Sequence, residues 1–191
     1  NRNNFKIQLG SWITIGNTSI AEIMADSGFD WLCIDLEHSV IDYFEAQQLI
    51  IAIQSKGIKA FVRVGENNNR IIKRVLDAGA DGIIVPSVNS ADEAIKAVKA
   101  VKYPPFGNRG VGLARAQSYG FGFDSYLNKT SKDIKLIVDN NEGFTHQFGD
   151  GQCGMYALYF IIELLQENKT YKYFLRNNSG LTFNCQFDSG C

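Results

Sequence analysis

Phe29-Asp30-Trp31-Leu32-Cys33-Ile34-Asp35-Leu36-Glu37-His38-Ser39 reads as a buried strand that ends in two acids and one of the two histidines of the chain. A short, continuously apolar run of this kind fits a strand covered on both faces of a parallel sheet. The polar residues fall where such a strand stops. In α/β barrels that end carries the chemistry, because the strand fixes the backbone and the following loop opens to substrate.

Working outward, strand signals alternate with helix signals from residue 5 to about 138. Further strands are expected at Ile7–Thr14, Ala60–Val64, Gly82–Val85 and Ile134–Val138. Between them, helical faces are formed by Ile20, Ile23 and Met24; by Ala46, Leu49, Ile50 and Ile53; by Ile71, Val75 and Leu76; and by Ala94, Val98 and Val101. Ser90-Ala91-Asp92-Glu93 is a capping box that opens the last of these. Such alternation implies right-handed βαβ units and a parallel sheet.

Asp26-Ser27-Gly28-Phe29-Asp30 is echoed by Asp77-Ala78-Gly79-Ala80-Asp81 two βα units later. The glycine is expected to end a helix in the left-handed conformation. Recurrence every two units fits a (β/α)₈ barrel, and no G-x-G-x-x-G follows the first strand to favour a Rossmann sheet. Five strands make about half a barrel. The expected fold is therefore α/β, a partial barrel of the first four to five βα units over 5–138. An unrelated, helical or irregular fragment is expected over 139–191.

Composition bounds the function. The chain has 191 residues, 45% hydrophobic and 20% charged, with a net charge of −1. That balance gives no electrostatic reason to expect nucleic acid or an anionic membrane as partner. No apolar run reaches the roughly 20 residues of a membrane span. The four cysteines, Cys33, Cys153, Cys185 and Cys191, show no zinc-ligand spacing and no disulfide framework, which points to a reducing, cytoplasmic setting.

Several motifs occur in a telling order: Gly10-Ser11-Trp12, Gly28-Phe29-Asp30-Trp31, Ile34-Asp35-Leu36-Glu37-His38, Val62-Arg63-Val64 and Leu76-Asp77-Ala78-Gly79-Ala80. Val85-Pro86 and Tyr103-Pro104-Pro105-x-Gly107-x-Arg109-Gly110-Val111-Gly112 follow them. Over 5–138 the chain thus resembles the HpcH/HpaI aldolases, class II pyruvate aldolases. The resemblance implies metal-dependent retro-aldol cleavage of a 2-oxo acid to pyruvate and an aldehyde, in a homo-oligomer. It implies His38 as general base, Asp77 as the acid orienting it, and Arg63 as the guanidinium that grips the pyruvate. Asp35 and Glu37 would stand behind the base and a metal-bound water. A neutral imidazole can move a proton near pH 7, and a planar charged fork suits a 2-oxo acid.

The residues also allow plainer roles. Arg63 can simply pair with Asp35 or Glu37, and Asp77 can be a helix-end residue. Asn108–Gly112 can cradle an anion, and Arg115 reads as a solvated charge. The family's metal (magnesium, manganese or cobalt) is expected on a Glu in a Gln-Ile-Glu context at the fifth strand. Here Lys135-Leu136-Ile137-Val138 runs into Asp139-Asn140-Asn141-Glu142, so the expected ligands are missing and activity is expected to be impaired.

The later segment differs. Thr145-His146-Gln147-Phe148-Gly149-Asp150-Gly151-Gln152-Cys153-Gly154-Met155-Tyr156, followed by apolar 157–165, resembles the C-terminal part of Ulp1/adenain-like cysteine proteases of viral type. That resemblance implies Cys153 as nucleophile at a helix N-terminus and Gln147 as oxyanion donor. The base expected upstream is absent, so this triad is incomplete too. The whole chain reads as a chimera of two incomplete enzymes, of marginal stability, with a thiol peptidase fragment or an inactive fusion as the alternative functions.

Overall fold

The computed structural model describes residues 8–130 and 133–139, together with three short strands further on. The elements run β1 (Gly10–Ile13), α1 (Thr18–Ala25), β2 (Trp31–Asp35), α2 (Tyr43–Ser55), β3 (Lys59–Arg63), α3 (Asn69–Asp77), β4 (Gly82–Val85), α4 (Ala91–Val101) and β5 (Lys135–Val138). A 3₁₀ segment, Arg115–Gly120, lies in the long link between α4 and β5.

The five strands are hydrogen-bonded in the order β1-β2-β3-β4-β5, each pair parallel. Sequential parallel order with a helix between strands is the pattern of half a (β/α)₈ barrel. β6 (Phe160–Ile162) then joins the β5 edge antiparallel, which departs from a barrel. A separate antiparallel pair joins β7 (Leu175–Arg176) to β8 (Thr182–Phe183). The helix expected over 157–165 lies mostly outside the described residues, and the three that are described are extended.

Side chains alternate across each strand, so the sheet has two apolar faces. Leu32, Ile34, Val62, Ile83, Val85 and Leu136 pack outward against the helices, meeting Leu49, Ile50, Ile53, Ile72, Leu76 and Val98 in one core. Cys33, Ile84 and Ile137 point the other way, where Trp12, Trp31 and Phe61 gather around them. Two of the four expected helix faces, on α2 and α4, are buried as read, and on α3 Val75 and Leu76 are buried with Ile72, while Ile71 is only partly buried. On α1 the buried residues are Ala21 and Ala25, while Ile23 is 68% exposed. Small side chains let that helix approach closely, and this turns the larger Ile23 outward.

The repeated Asp-x-Gly-x-Asp motif has a physical basis. Gly28 and Gly79 take φ of 90° and 101°, so each helix ends in the left-handed region that glycine enters without strain. The second aspartate then binds the neighbouring strand. Asp30 accepts the N–H of Leu9 at 2.8 Å, and Asp81 accepts that of Ala60 at 3.0 Å. Helix starts are also fixed by side chains. Ser90 caps α4 as expected, but Glu93 reaches back to the N–H of Asn89, not that of Ser90. The reciprocal box forms instead between Asp42 and Glu45 at α2. No helix among the described residues is long and apolar enough to cross a membrane.

Candidate active site at the C-terminal ends of β2 and β3

Asp35 is the last residue of β2, and Arg63, its register partner, is the last of β3. The pairing places both side chains on the inner face at the mouth of the sheet. Asp35 is 2% exposed and takes Arg63 through two bonds, Nε to Oδ1 at 2.9 Å and Nη2 to Oδ2 at 2.6 Å. Its Oδ1 also accepts the N–H of Glu37 at 3.0 Å and of His38 at 3.3 Å. One carboxylate thereby fixes the guanidinium and folds the loop that carries Glu37 and His38, an aspartate turn at a strand end.

Glu37 sits between the two cations. Its Oε2 is 3.2 Å from Nε of Arg63, and its Oε1 is 3.7 Å from Nε2 of His38. The His38 side chain is 70% exposed, so the imidazole stands in reach of solute. Trp12 completes the group from β1, with the Arg63 guanidinium carbon 4.6 Å from its ring centre.

The charges act on one another. Burial pushes the Asp35 carboxyl up, yet the Arg63 hydrogen bond and the loop N–H groups outweigh it and hold its pKa below the usual carboxylate range. For Glu37 the balance falls the other way. Burial pushes its pKa up, and the attraction of Arg63 and His38 does not cancel this. Asp139, at the end of β5, adds a further repulsion and so lies within electrostatic reach of Glu37. Arg63 loses from burial but gains more from Asp35, and its pKa is raised.

His38, Arg63, Asp35 and Glu37 are therefore brought together, and Asp77 is not. The mouth lies where strands end and helices begin. α3 starts there and runs back nine residues, about 13 Å at the helical rise. Asp77 ends that helix, where its Oδ1 binds Nη2 of Arg109 at 2.7 Å. Arg109 is itself buried, bonded to the Tyr126 hydroxyl at 3.0 Å and stacked on Tyr103 at 4.8 Å. The Asn108–Gly112 stretch thus uses its arginine to lock the long link, and does not offer it to an anion. Arg115 is no solvated charge either, since it bonds to the Ala78 carbonyl and to Gln54. Cys153, Gln147 and Glu142 lie outside the described residues.

Sequence reasoning missed the part played by Trp12 and the burial of Arg109. The alternation of β1 gave a signal for Trp12, placing it on the face that carries Arg63. Arg109, in an irregular stretch, gave none. A divalent metal needs several oxygen or nitrogen donors converging. Among the described residues, no three His, Cys, Asp or Glu side chains come together to hold one. Both Asp35 oxygens are already committed to Arg63.

A family model described as HpcH/HpaI aldolase/citrate lyase matches residues 8–147. A hydroxypyruvate/pyruvate aldolase of Sagittula stellata is 41% identical over 132 residues, covering 69% of this chain and 52% of that protein. A 2-dehydro-3,6-dideoxy-6-sulfogluconate aldolase of Pseudomonas putida is 42% identical, covering 68% of this chain and 51% of its own length. The crystal structure of a family protein from Burkholderia cenocepacia superposes with a TM-score of 0.67 at 34% identity, over 72% of this chain and 56% of that one. The chain spans about half the length of the curated relatives it matches.

Proposed function

Because the chain belongs to the HpcH/HpaI aldolase/citrate lyase family, we propose that the mouth of β2 and β3 is a site for a small 2-oxo acid. The reaction is carbon–carbon cleavage of a 4-hydroxy-2-oxo acid to pyruvate and an aldehyde. The observation that carries this reading is the Asp35–Arg63 pair with Glu37 and His38 on the loop it folds.

Arg63 grips the substrate carboxylate and keto oxygen, and it stabilises the negative charge that develops on that oxygen. His38 takes the proton of the C4 hydroxyl as the C3–C4 bond breaks. The electron pair of that bond passes into the 2-oxo group, leaving the enolate of pyruvate and a free aldehyde. The proton held on His38 is then delivered to C3 of the enolate, which completes pyruvate and returns the imidazole to its neutral form. Glu37 stands beside the imidazole, its Oε1 3.7 Å from Nε2. Relatives bearing aldolase names support the reaction class. The described residues do not fit a metal centre, so no step here runs through one.

Pyruvate release from a 4-hydroxy-2-oxo acid, followed through its enzymatic reduction, tests the proposal. Release is expected from the wild-type chain and is lost in His38→Ala and Arg63→Met. Equal release by His38→Ala and wild type would overturn the role given to the imidazole.

A further inference from the structure

Three large apolar side chains stand in solvent on the β1–β2 side of the mouth. Val40 is 96% exposed, Phe44 71% and Ile15 60%. Single exposed apolar residues need no explanation, but a group of them at one place does. Val40 lies on the loop that carries His38 and follows it by two residues, within about 7 Å of chain. Phe44 sits in the first turn of α2, four residues further on. Ile15 belongs to the loop after β1, and that loop touches the same turn of α2. A Cβ placed on its Gly16 would fall 2.9 Å from the Glu45 carboxylate.

Four polar side chains of these loops are turned back onto their own backbone. Asn17 accepts the N–H groups of Ser19 and Ile20 at the start of α1. Ser39 donates to the Asp35 carbonyl and accepts the N–H of Ile41. Asp42 and Glu45 each accept the other's N–H across the first turn of α2. With these four engaged, the hydrocarbon of Ile15, Val40 and Phe44 is what this rim presents to a solute.

The order of groups across the mouth gives the rim a use. Arg63 is on β3, Glu37 lies 3.2 Å from its Nε, and Nε2 of His38 is 3.7 Å from Glu37. We propose that Ile15, Val40 and Phe44 form the subsite for the substrate tail beyond C4, and that they select aldehydes with an apolar tail. The proposal rests on the reading of the mouth as a 2-oxo acid site and adds to it the class of aldehyde. Gripped at Arg63, with its C4 hydroxyl at His38, the substrate directs C5 and the carbons after it past the imidazole. There lie the start of α2 and the loop after β1. An alkyl tail laid on the three side chains is stabilised for each methylene that leaves water. A tail bearing hydroxyls gives up hydrogen bonds to water and meets hydrocarbon in return.

The aldol direction tests this with the full chain. His38 takes a proton from the pyruvate methyl group, the enolate carbon adds to the aldehyde carbonyl, and the new alkoxide takes that proton back. Initial rates are measured with pyruvate and propanal, butanal, pentanal or glyceraldehyde, with and without added magnesium. Along the alkyl series kcat/KM is expected to rise about twofold per methylene, as half-burial on an open rim gives about half the full transfer free energy. The ratio of kcat/KM for pentanal over glyceraldehyde is expected to fall about threefold or more in Phe44→Gln, Val40→Ser and Ile15→Asn, chiefly through KM. All three positions are exposed, so the fold tolerates these changes, which circular dichroism checks. A flat alkyl series, or a ratio that none of the variants moves, would overturn the inference. Exchange of the pyruvate methyl protons without product from any aldehyde would also overturn it, while sparing the site. Absence of both product and exchange would overturn the 2-oxo acid reading itself.

Discussion

Asp35→Asn is the most informative single change to this fold, because one carboxylate joins two strands and shapes the loop between site residues. The substitution preserves shape and removes the charge. Oδ1 can still accept from Glu37, His38 and Nε of Arg63, but the atom that met Nη2 at 2.6 Å becomes a donor facing a donor. A half-buried guanidinium loses its main counter-ion. Breaking a buried pair from one side costs about 3–5 kcal/mol. Here Arg63 keeps 17% exposure and Glu37 at 3.2 Å as a substitute partner. Both features reduce the penalty to about 2–3 kcal/mol, close to one charge-assisted bond plus partial desolvation. That corresponds to a fall in Tm of about 6–12 °C for a domain of this size. Urea unfolding followed by circular dichroism measures it, with the slope m unchanged. A double-mutant cycle with Arg63→Met should show a coupling of about 1.5 kcal/mol or more. Additive effects of the two changes, or a fall in Tm below about 2 °C, would refute the argument that this pair organises the mouth.

Three further outcomes follow from the same geometry. The folded-state pKa of Asp35 is lowered, so its stabilisation is complete above the ordinary value of about 3.9 and is lost as pH falls through the lower folded value. The stability gap between wild type and Asp35→Asn, measured by urea titration, should therefore be constant from pH 7 to about 5 and close below about 4. Gly10→Ala sets a Cβ 2.0 Å from the Trp31 ring and should cost about 1–3 kcal/mol by overpacking. Gly110→Ala, whose nearest neighbour is 3.8 Å away, should change stability by less than about 0.5 kcal/mol in the same assay. Cys33 is fully buried, and burial pushes its thiol pKa far up. In native protein a thiol-directed reagent read by peptide mass spectrometry should spare Cys33 and label it only when urea unfolds the sheet. Labelling of Cys33 at the rate of an exposed thiol would contradict its place in the inner face.

Much of this was legible in residue order. Runs such as Gly82–Val85 and Trp31–Ile34 are apolar at every position, which helices on one face and aromatic side chains on the other explain. The Asp-x-Gly-x-Asp echo was visible as a repeat, although its purpose, binding an aspartate to the next strand, needed the register to be seen. Among site residues, the grouping of Asp35, Glu37 and His38 follows from adjacency, and Arg63 follows because parallel strands end together. Asp77 does not join them within this chain, for the complementary reason. Its motif resemblance carries no information about which end of a helix faces the mouth, and in this chain it meets Arg109. The buried state of Arg109 depends on Tyr103, Tyr126 and Asp77, which only folding brings together. On α1, periodicity ranked Ile23 above Ala21 because hydrophobicity counts size, whereas close packing favoured the smaller residue.

Exchange of the methyl protons of pyruvate for deuterium, followed by proton NMR in heavy water, tests the central claim most directly. It isolates proton transfer at an Arg63-bound enolate from any demand made by the aldehyde. The account predicts exchange above the buffer rate with the wild-type chain. His38→Ala and Arg63→Met should each return that rate to the buffer value while keeping a native circular dichroism spectrum. Exchange that persists unchanged in both variants would contradict the assignment of this site to 2-oxo acid chemistry.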